Sequence, residues 1–190
     1  MIEVHDGESV EVKDGEKAVV HEGGLVKVYD GGEAWVQNGG EAEVLNGGWT
    51  DVWDGGKAEV FDGGRAWVWS GGEAQVYEGG RVSVLDGGNA FVHEGGRASV
   101  DSGGRATIYE GGEAQVFDHG WSHVNQGGKA EVHDGGWAVV HDGGWVQVNI
   151  GGEAHVNDGG IAELHPGGIA TGPGTITYVD LPTQHLAPSI

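Results

Sequence analysis

Gly55-Gly56-Lys57-Ala58-Glu59-Val60-Phe61-Asp62, then Gly63-Gly64-Arg65-Ala66-Trp67-Val68-Trp69-Ser70, then Gly71-Gly72-Glu73-Ala74-Gln75-Val76-Tyr77-Glu78: the chain repeats itself every eight residues. Extended outward, the octad runs without insertion or deletion from Gly7 to Gly174, twenty-one units in all. Slot 1 is Gly except at His119, and slot 2 is Gly except at Glu8 and Glu16. Slot 4 is always small: fifteen Ala, four Val, Thr50 and Ser122. Slot 6 is Val in eighteen units, with Ile108, Leu164 and Gly172 as the departures. Slots 3, 5 and 7 vary freely.

Apolar residues at slots 4 and 6 separated by variable ones give a period of two, the signature of a strand with one buried face. Gly-Gly supplies the corner, where positive φ is needed. A short polar residue at slot 8 suits a turn whose N–H groups want acceptors. Forty-one glycines without a period would indicate a disordered linker, but this period removes that reading. A repeat in which every core slot is equivalent predicts a solenoid.

Core volume chooses the winding. Three octads per coil, with six-residue strands about 20 Å long, enclose a triangle that Ala and Val cannot fill, and voids destabilise. Three intertwined chains meet the same problem at their axis and stay as the lesser alternative. Two octads per coil bring two thin sheets together, Ala facing Val. The expected fold is therefore all-β, a parallel β-solenoid in the form of a flat two-sheet roll with 16 residues per coil, about eleven coils and a length of roughly 50 Å. The repeat occupies residues 1–174. Residues 175–190 read as a capping strand, Thr175 to Leu181, and an anchoring tail. A solenoid's end strands are open edges, and the N-terminal end shows no cap in its pattern.

The unit resembles β-roll repeats, and its period is similar to that of the octapeptide β-helices in phage tail needles and spikes. The calcium-binding roll repeats Gly-Gly-x-Gly-x-Asp-x-apolar-x over nine residues, whereas this chain has eight and places Ala or Val at the mid-strand ligand position. The spike resemblance implies a rod serving a larger assembly.

The formal charge of −21, from 30 acidic against 9 basic side chains, repels nucleic acid and anionic membranes. With no cysteine there is no disulfide framework. No apolar run is long enough to span a bilayer, and Met1 to Asp6 lacks the basic and apolar regions of a signal peptide, so cytoplasmic synthesis is expected, while the final location, a virion among the options, stays open. No catalytic motif occurs, and there are no inserted loops on which to build a cleft, so no enzymatic activity and no cofactor are expected.

Contact chemistry is sought instead in the outward rows that a 16-residue coil creates. One row reads Tyr29, Leu45, Phe61, Tyr77, His93 and Tyr109. On the other sheet Trp53, Trp69 and Leu85 follow one another beside Trp35, Trp49 and Trp67, with Arg65, Arg81 and Arg97 alongside. Trp121 and Trp137 form a further pair. Such rows strengthen sheets and also make binding surface for a protein or glycan partner. Corner acids, including Asp14, Asp30, Asp62, Asp142 and Asp158, are weak metal candidates, favouring solvated corners over a ligand cage. The leading function is a non-enzymatic rod in a virion, tail appendage or surface fibre, joined to other subunits at its ends or by its tail. The alternatives are an acidic DNA mimic and an ice-binding roll, the latter lacking a row of Thr.

Overall fold

A computed structural model describes residues 1–179. Among them are twenty-three strands, numbered in chain order from β1 (Ile2–Val4), β2 (Ser9–Val12) and β3 (Lys17–Val20) to β21 (Ile161–Leu164), β22 (Ile169–Thr171) and β23 (Thr175–Tyr178). The odd-numbered strands form a 12-stranded sheet and the even-numbered an 11-stranded sheet, and every pairing is parallel. Residue i lies beside i+16, as in Ala74↔Ala90 and Arg81↔Arg97. The chain is thus a flat two-sheet solenoid with two octads per coil.

Slot 4 and slot 6 side chains of both sheets form one continuous core. Slot 6 valines from Val4 to Val156 are fully buried, and slot 4 residues from Ala18 to Ala162 are at most 6% exposed. The strands are shorter than the six residues expected: each of β2 to β21 has four, slots 3 to 6, and β22 has three. The slot 7 N–H still bonds to the coil before it, as Tyr29 N donates to Val12 O at 2.9 Å, but the chain is by then turning the corner.

Both glycines of the corner are needed, for different reasons. At slot 1 the backbone takes positive φ, and the slot 8 side chain of the preceding coil lies over the α-carbon: a Cβ on Gly55 would come within 2.9 Å of Asn38 Oδ1. Most slot 8 carboxylates, such as Asp30, Asp54, Asp62, Asp134 and Asp142, therefore lie against the neighbouring coil, while Asp14, Asp86 and Asp118, at positive φ, do not. The corner N–H groups bond to main chain instead, Gly39 N to Gly55 O at 2.9 Å and Gly40 N to Gln37 O at 2.7 Å. This corrects the expectation that slot 8 caps the turn. At slot 2 φ is not positive, but a Cβ would strike the slot 6 carbonyl one coil back, for example Val36 O at 2.6 Å from Gly56.

That contact accounts for the two departures at slot 2. No described coil lies above Glu8 and Glu16, so a side chain fits. Each side chain bends back to its own corner: Glu8 Oε2 accepts from His5 N at 2.8 Å and Glu16 Oε2 from Lys13 N at 3.2 Å. Elsewhere the equivalent N–H donates to the preceding coil, His21 N to Val4 O at 2.9 Å. The N-terminal coil thus carries a side-chain cap, which corrects the expectation of an uncapped end. Stacking another coil of this geometry there would drive its carbonyls into Glu8 and Glu16.

His119 is the only non-Gly at slot 1, and it holds φ +65° next to Asp118 at +36°. A left-handed non-Gly residue costs roughly 1–2 kcal/mol, offset in part by the greater entropy glycine loses on folding. His119→Gly is expected to stabilise the protein by about 0.5–1 kcal/mol, measured by urea denaturation. A loss of stability would show that the imidazole contributes more than the backbone costs.

At the other end Gly172-Pro173-Gly174 shortens the last coil. β23 pairs with β21 as Ile161↔Thr175, fourteen residues apart, and continues the odd sheet. The residues of the expected tail from 180 onward lie outside the described residues.

Candidate functional site

The outward rows assemble as the 16-residue register requires. On the even sheet Phe61, Tyr77, His93 and Tyr109 stack face to face with centroids 4.9 to 5.1 Å apart. Tyr29 and Leu45 head the same row, with Leu45 separating Tyr29 from the aromatic stack. Trp121 and Trp137 stack at 5.8 Å, and His123 packs edge-on against Trp121 at 4.0 Å. His123 Nδ1 lies 3.0 Å from His141 Nε2; burial, and then the neighbouring His141, hold the His123 pKa below its ordinary value. Stacking leaves most of these rings half-buried, Tyr109 being among the exceptions, so this row shows mainly ring edges.

The odd sheet is different. Trp53 stacks on Trp69 at 5.0 Å, while Trp67 stands edge-on to Trp49 at 5.4 Å and to Trp69 at 6.2 Å. Trp67 and Trp53 are the most exposed of the group at 45% and 41%, whereas Trp35 and Trp69 are half-buried. At the centre lies Asp51, a residue that the repeat pattern does not single out. It has Trp49 on its own strand and Trp53 just past that strand's end, and sits in register between Trp35 and Trp67. Only 7% exposed, it accepts a hydrogen bond from Trp69 Nε1 at 3.1 Å. Burial raises its pKa above the ordinary carboxyl value, and the indole N–H groups of Trp69 and Trp35 pull it part of the way back.

Asp51 therefore acts as the acceptor that orients the tryptophan cluster. Asp51→Ala removes that acceptor and is expected to cost about 1–3 kcal/mol. Asp51→Asn keeps an acceptor oxygen without the charge. With the folded pKa raised, the stability associated with the protonated carboxyl is complete below the unfolded value near 3.8 and is lost as pH rises through the folded value. Asp51→Asn is thus expected to equal or exceed the parent at pH 7, the difference closing as pH falls toward 4. Thermal melts across that range check it; a parent more stable than Asp51→Asn at pH 7 contradicts it.

Beside this cluster runs a trough of ≈ 670 Å³. Slot 3 side chains Arg65, Arg81, Arg97, Glu113 and Lys129 form one bank, and slot 5 side chains Ser83, Ser99, Gln115 and Glu131 the other. The main chain at Val82, Ala98 and Ala114 forms the floor, Trp49 and Trp67 stand at one end, and Trp145 stands at the other. The trough exists because Ser83 and Ser99 are short where the strand before them carries Trp67. Toward Trp145 acids and bases alternate: Arg97 Nε pairs with Glu113 Oε2 at 3.2 Å, Gln115 Nε2 donates to Glu131 Oε2 at 3.2 Å, and Lys129 makes no ion pair among the described residues. Arg65 and Arg81 make no ion pair among the described residues.

Of the remaining candidates, Asp14, Asp30, Asp62, Asp142 and Asp158 stay at the corners. Asp30, Asp62 and Asp142 lie over Gly47, Gly79 and Gly159 of the next coil. Among the described residues no three His, Asp or Glu side chains converge as a metal site would require.

No protein-family model and no curated protein matches the chain. Among solved structures it is similar to a TibC-catalyzed hyper-glycosylated TibA fragment, at 26% identity and a TM-score of 0.48, with 94% of this chain and 92% of that chain covered.

Proposed function

We propose that the protein is a non-enzymatic rod, held in a larger assembly by its C-terminal end and presenting the odd sheet as a contact face. The contrast between the two ends carries this reading. The N-terminal coil is closed by Glu8 and Glu16. The C-terminal coils instead leave large apolar side chains in water, with Ile150 71%, Ile169 54% and Tyr178 73% exposed. The N-terminal end exposes one such side chain, Met1 at 79%, whereas the C-terminal coils expose several together, and a group of exposed apolar side chains marks a docking region. Among the described residues the outer faces are regular and without inserted loops, which suits a spacer that displays side chains at a fixed strand spacing. Partners are then other protein subunits at the C-terminal end and a ligand on the tryptophan and arginine face.

Fractionation of the cells or particles that contain the chain tests this. The rod reading expects recovery in a sedimenting assembly at fixed stoichiometry, released when Ile169 and Tyr178 are replaced by Ser. Recovery wholly as a free monomer contradicts it.

A further inference from the structure

The odd-sheet trough is electrostatically out of place. The chain carries −21 overall and only four arginines, yet three of them, Arg65, Arg81 and Arg97, occupy adjacent places on consecutive strands of one sheet. Like charges directly opposite in a sheet are destabilising, and partners were available. The corner hollow that Asp62 and Glu78 share with Arg81 and Arg97 contains no ion pair among the described residues. The cation row is thus left unneutralised at Arg65 and Arg81, beside Trp67, a residue 45% exposed. Opposite stands the neutral hydroxyl of Ser83, and next to it Ser99, whose Oγ donates to Asp101 Oδ2 at 3.0 Å.

Cations in a row, an exposed indole at the end of that row, and small polar groups along the facing bank fit one ligand chemistry. We propose that this trough binds an acidic saccharide, its carboxylate or sulfate groups held by Arg65 and Arg81 and one sugar ring lying against Trp67. Guanidinium groups match planar oxyanions through paired N–H donors. An indole offers a flat apolar surface to the C–H face of a sugar. A nucleic acid fits less well: its dense phosphate charge meets two free arginines and then Glu113, Glu131 and the acidic remainder of the molecule. An acidic peptide would find no open strand edge along the trough, because the strands flanking it are paired on both sides, and no deep apolar pocket for an anchoring side chain. The proposal rests on reading the odd sheet as a contact face and adds the class of ligand.

Calorimetric titration of the full chain with oligogalacturonate, chondroitin sulfate oligosaccharides, neutral cellohexaose, a duplex oligonucleotide and a poly-glutamate peptide tests it. Acidic oligosaccharides are expected to bind at least about tenfold more tightly than cellohexaose, and binding is expected to weaken with salt. Arg65→Gln/Arg81→Gln is expected to lose at least about tenfold in affinity with an unchanged or higher melting temperature, since like-charge repulsion is relieved. Trp67→Ser provides a second variant that leaves the arginines in place and is expected to weaken the same ligands. Equal binding of neutral and acidic sugars, binding undiminished in both variants, no saccharide binding, or tighter binding of the duplex or peptide overturns the proposal. Any of these results leaves the fractionation outcome untouched, so failure of the ligand assignment is separable from failure of the rod reading.

Discussion

Gly96→Ala is expected to destabilise the rod by about 3–4 kcal/mol, the sum of overpacking and a weakened ladder bond. Gly96 occupies slot 2, where the added Cβ would lie 2.5 Å from Val76 O and 3.0 Å from Val76 C. Both are main-chain atoms that cannot rotate aside, and Val76 O already accepts from His93 N at 2.9 Å. The coil must move away from its neighbour, and the valine and alanine packing on that side moves with it. Gly103→Ala is the comparison. It occupies slot 1, with φ +84° and no atom within 4 Å of the added Cβ, so only backbone strain of roughly 1–2 kcal/mol applies. Equilibrium urea denaturation of the two variants separates these causes. Equal losses would mean that close approach between coils is not what excludes a side chain at slot 2.

Ala90→Leu probes the thinness of the core. Ala90 is 2% exposed and lies between Ala74 and Ala106 on the adjoining strands, so three alanines in line face the opposite sheet. The extra methylenes have no void to enter and force the sheets apart, at an expected cost of about 1–3 kcal/mol. Glu73→Leu, on the outer face of a neighbouring strand and without an ion pair among the described residues, is expected to stay within about ±0.5 kcal/mol. A melting temperature unchanged in Ala90→Leu would show that slot 4 does not face the core.

Much of this is legible in the sequence because each octad repeats one physical problem. Ala at slot 4 and Val at slot 6 define the inward face, and their small volume selects two strands per coil; the register of the outer rows then follows. The residues that escaped were those whose role depends on neighbours rather than on slot. Asp51 occupies slot 5, where any residue occurs. Its burial arises because Trp35 and Trp67 fall sixteen residues to either side, with Trp49 and Trp53 two away and Trp69 eighteen on. Laid out on a 16-residue grid, that is a carboxylate ringed by five of the chain's eight tryptophans, a signal available in the sequence. Glu8 and Glu16 stood out as departures at slot 2, but their meaning needed the distance between that slot and the carbonyl one coil back. The trough needed side-chain heights: Ser83 and Ser99 are unremarkable letters until Trp67 rises beside them. The slot 8 acids suggest caps by their type, while the corner places most of them over a neighbouring glycine.

Every outward row, the trough included, depends on residue i standing beside residue i+16. The chain contains no cysteine, so introduced pairs report this without interference. Ser83 and Ser99 are direct partners on adjacent parallel strands, where Cα atoms about 4.8 Å apart fall within disulfide reach. Ser83→Cys/Ser99→Cys is expected to form an intramolecular disulfide under mild oxidation without loss of folding. Ser83→Cys/Thr107→Cys, twenty-four residues apart as in a three-octad coil, is expected to remain reduced, since Thr107 lies on the other sheet. Peptide mapping of the oxidised proteins gives the answer. A disulfide in the first pair and none in the second supports the two-octad coil and the arginine row built on it, and the reverse outcome contradicts both.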